Sequence, residues 1–151
     1  MQKTLSLIND ISQVPLLAEW IEELGQELSL PMSAVFQLNL ALEEAAVNVM
    51  NYAYPGDKGR PVTIAAEITD NELHEERIIF TLTDEGVPFD PTKATEPDIT
   101  LPAEKRNIGG LGIFLVQQLM EQVTYKREEE KNILTMMYRI NRDITPMFDN
   151  I

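Results

Sequence analysis

Residues 38–54 read LNLALEEAAVNVMNYAY, a mostly apolar stretch in which the only charged side chains are two adjacent glutamates. The composition is typical of a long buried helix. Ser33 upstream is a plausible N-cap, and Pro55-Gly56 downstream stops the helix at about Tyr54. The rest of the chain must therefore supply a surface on which this helix packs.

Glu44 and Asn48 lie four residues apart in this stretch and so share one face of the helix. An ordinary interpretation is a Glu–Asn hydrogen bond on the helix surface. In a chemical interpretation, Asn48 offers its carbonyl oxygen to Mg²⁺, a hard cation that prefers oxygen ligands, and Glu44 acts as a general base on a hydroxyl or water. Glu43 points about 100° away around the helix, so it is the poorer candidate.

Strands and helices surround this helix in an order that favours an α/β (α+β) fold. Residues 15–28 form a second helix, with Trp20 in the core. Strands are predicted at residues 3–8, 60–69, 77–83, 123–127 and 133–140, and a third helix at residues 111–122. Strands joined by short turns are antiparallel, and helices of this number cover one sheet face. We therefore predict a two-layer α/β sandwich with a mixed or antiparallel sheet.

Residues 87–108 interrupt this pattern with four prolines and no sustained periodicity. A loop of about 20 residues inside a compact domain is unusual and is typical of lids or binding segments. We expect a mobile lid here, within one domain at residues 1–141. Residues 142–151 are expected to be a C-terminal tail.

Asp84 and Gly86 follow the apolar run IIFTLT. The ordinary interpretation is a strand that ends in a turn, where Asp and Gly are common. In the chemical interpretation, Asp84 accepts a hydrogen bond from an adenine amino group and Gly86 leaves room for the flat base.

A second glycine cluster, Gly109-Gly110-Leu-Gly112, runs into the third predicted helix. Backbone N–H groups at such a helix start can surround an anion. Lys105 and Arg106 just upstream are the basic partners expected for phosphates, and Lys93 is a less certain third. A Rossmann or P-loop site is disfavoured, because no strand precedes the cluster and no G-x-x-x-x-G-K-[ST] sequence occurs.

Composition excludes several classes of function. The formal net charge is −13, so nucleic acid and anionic membranes would be repelled. The chain has no cysteine, which excludes thiolate chemistry and suits a cytoplasmic protein. The single histidine, His74, lies in a polar turn, so histidine triads and metal clusters lack their main component.

Taken in order, the three segments resemble the motifs of the GHKL (Bergerat-fold) ATPases. More narrowly, they are similar to those of the bacterial anti-sigma-factor serine/threonine kinases. The E-x-x-x-N box is matched by Glu44 and Asn48, the D-x-G box by Asp84 and Gly86, and the G-x-G box by Gly110 and Gly112. The resemblance extends over nearly the whole chain. Many members carry an arginine immediately before the last box, where this chain has Asn107-Ile108.

The resemblance implies a Bergerat-type sandwich that binds ATP and Mg²⁺. It implies transfer of the γ-phosphate to a serine or threonine of an anti-anti-sigma (STAS) partner, and sequestration of a sigma factor or other client by direct binding. Asn48 would hold Mg²⁺, Glu44 would accept the hydroxyl proton, and Lys105 or Arg106 would replace the missing arginine. A homodimer is possible in such a system, and neither nucleic acid nor a membrane is an expected partner.

Two alternatives remain open at this point. One is a module of the same fold that binds nucleotide without phosphotransfer, although such a module has no use for a base at Glu44. The other is the ATPase domain of a sensor histidine kinase, which requires a helix that carries a phosphoaccepting histidine. His74 does not lie on such a helix.

Overall fold

The computed structural model describes residues 1–71, 73, 75–93 and 108–142, with the backbone alone at 108–112. Its five strands are β1 (Gln2–Ile8), β2 (Pro61–Asp70), β3 (Glu76–Asp84), β4 (Gln122–Glu128) and β5 (Lys131–Arg139). They form one sheet in the order β1-β2-β3-β5-β4, and every neighbouring pair is antiparallel. The predicted α+β class is confirmed, with a sheet that is antiparallel throughout.

Three helices, α1 (Val14–Glu27), α2 (Met32–Tyr52) and α3 (Ile108–Leu119), form the second layer. Alternate residues of β2, β3 and β5 are buried, which identifies one face of the sheet as the face that the helices cover. Trp20 of α1 meets Phe80 of β3 edge to face, with ring centroids 6.3 Å apart. Trp20 is 5% exposed, which confirms its predicted place in the core.

The start of α2 differs from the prediction. The N-cap is Pro31 rather than Ser33. The Pro31 carbonyl accepts from the amides of Ala34 and Val35 at 3.0 and 3.2 Å, so the helix begins one residue before Ser33. The Ser33 hydroxyl lies inside the first turn, buried and without a hydrogen-bond partner among the described residues. At the other end α2 stops at Tyr52, and Gly56 turns the chain with a φ of 77°.

Helix α3 is also displaced relative to the prediction, which placed it at residues 111–122. It begins at Ile108 and ends at Leu119, and Gln122 belongs to β4. Ile113, Val116 and Met120 are buried at spacings of three and four, so an apolar face packs the helix against the core from its second turn onwards. Glycines cost helix propensity, but packing of such a face outweighs that cost.

The β4–β5 hairpin turns on Glu129 and Glu130, whose φ values are 53° and 64°. Two successive residues with positive φ are typical of the type I′ turn, whose twist matches that of paired strands. Register in this hairpin places Arg127 opposite Asn132. Asn132 pairs with Asp84 at the end of β3, and Arg127 lies one strand further out.

None of the helices in the described ranges has both the length and the apolar character needed to cross a membrane.

Candidate functional site

The end of β3 is joined to the end of α2 by backbone and side-chain hydrogen bonds. The Val87 amide donates to the Ala53 carbonyl at 2.8 Å. The Glu85 amide donates to the Tyr54 hydroxyl at 2.6 Å, and that hydroxyl donates to the Pro61 carbonyl at 2.6 Å. Because Asn48 precedes Ala53 by five residues, it lies only about 7.5 Å back along the helix axis. The Asn48 and Asp84 motifs are thus neighbours in space.

Gly86 makes this close approach possible. A Cβ built on Gly86 would lie 2.1 Å from the Ala53 carbonyl oxygen, a distance that no side chain tolerates. This contact gives Gly86 a packing role, and its predicted role of leaving room for a flat base stays a prediction. The space that a side chain would occupy is filled by the backbone of α2's end, and the glycine is needed for packing.

Asp84 is a buried carboxylate, 3% exposed. Its Oδ1 accepts from the Gly86 amide at 2.8 Å and from Asn132 Nδ2 at 2.8 Å. Burial raises the pKa of Asp84, while these two hydrogen bonds and the charge of Arg127 act in the opposite direction. Within the part of the chain that the structure describes, Oδ2 accepts no hydrogen bond. The carboxylate can therefore receive one more donor.

Asn48 is 6% exposed, and its Nδ2 has no hydrogen-bond partner among the described residues. The ordinary interpretation, an Asn48 amide bonded to Glu44 on the helix surface, is therefore wrong for this structure. A buried carboxamide with an unused polar atom is the feature that a site for an absent polar ligand would show. The unpartnered Nδ2 is a donor and suits a phosphate oxygen, whereas the carboxamide oxygen is of the type that Mg²⁺ prefers. The residue therefore fits a magnesium–nucleotide site.

Glu44 lies one turn before Asn48 and is exposed, as is Glu43. Both carboxylates are open to solvent, so burial does not distinguish them. The distinction is one of direction, because only Glu44 shares the helical face of Asn48. The structure thus brings Glu44, Asn48 and Asp84 to one region around α2, and the role of each as a site residue stays a prediction.

The predicted phosphate-binding residues are only partly described. Gly110 lies in the first turn of α3, where backbone amides have no partner within the helix. Gly112 is the fifth residue of α3, so its amide donates to the Ile108 carbonyl in the regular helical pattern. Helix α3 packs beside α2, so this turn belongs to the same layer as Asn48. Lys93 ends a short 3₁₀ turn, Pro91–Lys93, that contacts α3. Lys105, Arg106 and most of the predicted lid, residues 94–107, lie outside the described residues, as does His74.

Sequence reasoning missed the residues that hold the Asp84 segment from the hairpin side. Arg127 donates to the Gly86 carbonyl at 2.7 Å. Asn132 donates to Asp84 and also to the Val87 carbonyl at 2.7 Å. One signal was available, because Asn132 is a polar residue at an inward position of a strand whose other inward residues are apolar. Reading that signal requires the strand register, which the sequence did not supply.

Comparison with known proteins agrees with this geometry. Residues 7–138 match the family described as histidine kinase-like ATPase domain. A protein named serine-protein kinase RsbW from Bacillus cereus is 29% identical over 105 residues, which cover 67% of this chain and 62% of the relative. A protein of the same name from Listeria monocytogenes is 28% identical over 109 residues, which cover 70% of this chain and 66% of the relative. The chain thus spans less than two thirds of the length of these relatives.

A solved structure shares the fold. The RsbU and RsbW domains of a Mycobacterium tuberculosis protein superpose with a TM-score of 0.66 at 13% sequence identity. The match covers 94% of this chain and 33% of that chain. At this identity the likeness concerns the arrangement of strands and helices.

Proposed function

The chain belongs to the histidine kinase-like ATPase domain family, and on that premise we propose that it is an anti-sigma factor with protein serine/threonine kinase activity. It binds Mg-ATP and transfers the γ-phosphate to a serine or threonine of a protein partner. The observation that carries the proposal is the buried Asn48 carboxamide beside the Asp84 end of β3. Its Nδ2 is an open donor for a phosphate oxygen, and its oxygen is of the type that Mg²⁺ prefers. The names of the curated relatives support kinase activity over simple nucleotide binding.

The base end of the nucleotide is assigned to Asp84. Its Oδ2 accepts from the adenine amino group, while Oδ1 stays bonded to Gly86 and Asn132. A hydrogen bond to an ionised acceptor is stronger than one to a neutral acceptor. The raised pKa of Asp84 reflects burial, and an additional donor favours the ionised form and offsets that burial.

The phosphate end is assigned to α2 and α3. Asn48 holds Mg²⁺ through its carboxamide oxygen, and the backbone amides in the first turn of α3, including that of Gly110, receive phosphate oxygens. Gly112, one residue after that turn, has no side chain to block their approach. Lys105 or Arg106 adds positive charge. Mg²⁺, when bound, neutralises the phosphate oxygens and lowers the barrier to phosphoryl transfer. Glu44 orients the attacking hydroxyl and takes its proton.

The proposed partners follow from the same family. The phosphoacceptor is an anti-anti-sigma (STAS) protein, and the client that the kinase sequesters is a sigma factor or a comparable regulator. Phosphorylation of the STAS protein weakens its complex with the kinase, which frees the kinase for its client. The acidic surface, with a formal net charge of −13, suits a protein partner better than nucleic acid.

The test is direct phosphotransfer. A STAS protein from the same organism is captured by the chain, incubated with Mg-ATP and measured by intact mass spectrometry. The Glu44→Gln variant is tested in parallel. The proposal predicts one added phosphoryl group with the native chain and none in the same time with the variant. A partner that is captured and never modified, by a chain that binds Mg-ATP, would instead favour a nucleotide-binding module without phosphotransfer.

A further inference from the structure

Asn132 occupies an inward position of β5, and the other inward positions of this strand carry large hydrophobic side chains. The inward residues of this strand are Asn132, Leu134, Met136 and Tyr138, and Asn132 is 4% exposed. A buried carboxamide is costly unless its donors and acceptors are engaged. Its presence in an otherwise apolar row therefore calls for a specific set of partners.

The structure supplies four partners for this single side chain. Nδ2 donates to Asp84 Oδ1 at 2.8 Å and to the Val87 carbonyl at 2.7 Å. Oδ1 accepts from the Phe89 amide at 3.2 Å and from the Tyr125 hydroxyl at 2.5 Å. Because a backbone amide can only donate and a carbonyl can only accept, only one orientation of the carboxamide satisfies all four.

These bonds fix the orientation of the Asp84 carboxylate. Its Oδ1 is held by two donors, Asn132 Nδ2 and the Gly86 amide, each at 2.8 Å. A carboxylate held in this way cannot rotate about its last bond without losing both hydrogen bonds. Oδ2 is then the oxygen that remains for a ligand, in a direction set by Asn132.

The segment after Asp84 is held from both sides. On the helix side, the Val87 amide donates to the Ala53 carbonyl at 2.8 Å. On the hairpin side, Asn132 binds the Val87 carbonyl and the Phe89 amide, and Arg127 binds the Gly86 carbonyl at 2.7 Å. Removal of Asn132 would release two of these attachments together with the one on Asp84.

We propose that Asn132 is a positioning residue for nucleotide binding, which orients Asp84 Oδ2 towards the base and holds Val87 and Phe89 in the conformation that this requires. The inference rests on the proposed role of Asp84 as the acceptor for the adenine amino group. It adds to the determinants of ATP affinity a residue of the β4–β5 hairpin that is 48 positions from Asp84 in the chain.

The first variant is Asn132→Asp, which keeps the shape and the oxygen that accepts from Phe89 and Tyr125. It replaces the donor by an oxygen that faces the Asp84 carboxylate and the Val87 carbonyl. The dissociation constant for Mg-ATP should rise by at least about tenfold, since hydrogen bonds to a charged group are lost. The matched control is Tyr125→Phe, which removes the hydrogen bond that Asn132 Oδ1 accepts from Tyr125. This variant should change the affinity for Mg-ATP less than about threefold.

A double-mutant cycle distinguishes positioning from a general loss of structure. Affinity for Mg-ATP is measured, by displacement of a fluorescent ATP analogue, for the native chain, Asn132→Asp, Asp84→Asn and the double variant. If Asn132 acts through Asp84, the Asn132→Asp change should lower affinity less than about threefold in the Asp84→Asn background. The same loss in both backgrounds would overturn the inference, because a structural defect acts whether or not Asp84 is present.

The single and double variants distinguish the base role of Asp84 from the positioning role of Asn132. An unchanged affinity in Asp84→Asn alone would remove the base role from Asp84, and the inference about Asn132 falls with it. A weakened Asp84→Asn with additive effects of Asn132→Asp leaves the function intact and overturns only the positioning role. Should Asn132→Asp fail to fold by circular dichroism, Asn132→Leu enters the same cycle, since an apolar side chain of similar shape suits the inward row of β5 and cannot donate to Asp84.

Discussion

Replacement of Asp84 by Asn isolates base recognition from folding. Both hydrogen bonds that Asp84 accepts inside the protein end on Oδ1. The carboxamide oxygen of an asparagine can take that position and keep both bonds. The amide nitrogen then replaces Oδ2, so that the group offered to the ligand changes from an acceptor to a donor.

The expected loss of affinity follows from the hydrogen bond to adenine. Loss of a hydrogen bond to a charged group costs roughly 1.5–3 kcal/mol, which corresponds to a dissociation constant for Mg-ATP about 10 to 150 times higher. Guanine carries a carbonyl oxygen where adenine carries its amino group, and the new amide can donate to it. Preference for ATP over GTP should therefore narrow in Asp84→Asn, as calorimetric titration with each nucleotide would show.

Stability should change in the opposite direction from affinity. Burial raises the pKa of Asp84 above its ordinary value, so the folded state binds the proton more tightly than the unfolded state. The protonated Asp84 contributes to stability at a pH below the pKa that it has in the unfolded chain. This contribution is lost as pH rises through the higher pKa that Asp84 has in the folded chain. At neutral pH the asparagine removes that unfavourable contribution, so urea unfolding should find Asp84→Asn at least as stable as the native chain.

A matched control removes the same charge elsewhere on the sheet. Asp70 is exposed and lies at the far end of β2, where it pairs with Glu76, whereas Asp84 pairs with Val62 at the near end. Asp70→Asn should change the affinity for Mg-ATP by no more than about twofold. An equal affinity for Mg-ATP in native protein and folded Asp84→Asn would refute the reasoning, as would parallel losses in Asp70→Asn.

Four further variants test other parts of the site and the fold. Glu44→Gln should slow phosphotransfer to the STAS protein by roughly 10²–10⁴-fold with nearly unchanged Mg-ATP affinity, whereas Asn48→Ala should weaken both. Equal losses of binding in the two variants would make Glu44 structural. Gly86→Ala should lower the free energy of unfolding by about 1–3 kcal/mol, because its Cβ meets the Ala53 carbonyl at 2.1 Å; an unchanged melting temperature would contradict that packing. Glu76→Gln removes the partner of Arg142, which lowers the pKa of Glu76, so it should cost less than about 1 kcal/mol at neutral pH. That cost should disappear as pH falls through the folded pKa of Glu76, and a cost that persists in acid would exclude the ion pair as its cause.

The fold could be predicted because its signals are local. Apolar periodicity predicted the ends of α1 and α2 to within two residues, and runs of β-branched residues predicted the strands. The prediction failed where packing overrode a local rule. Glycines at the start of α3 were taken as a boundary, although the helix already begins at Ile108. Ser33 was taken as a cap on residue type, although Pro31 supplies the carbonyl that starts α2.

The site could be predicted only as far as its residues stand in a recognisable order along the chain. Glu44, Asn48 and Asp84 were predicted in this way, and their roles stay predictions. Asn132 was not, since its role depends on the register of β5 against β3, which pairs it with Asp84 across 48 residues. The packing role of Gly86 was missed for a similar reason, because only the packed structure shows Ala53 against it.

The contact between Gly86 and Ala53 has a consequence for the kind of ligand that fits. It is made between two backbones, with no flexible side chain to absorb a change in distance. The interval between Asn48 and Asp84 is therefore set by the rise of one helix and the end of one strand. If Asn48 holds the magnesium and Asp84 holds the base, the distance between the two parts of the ligand must match the fixed distance between these residues. A nucleotide whose base and phosphates are further apart or closer together can make only one of these two contacts. Such a nucleotide should therefore bind more weakly.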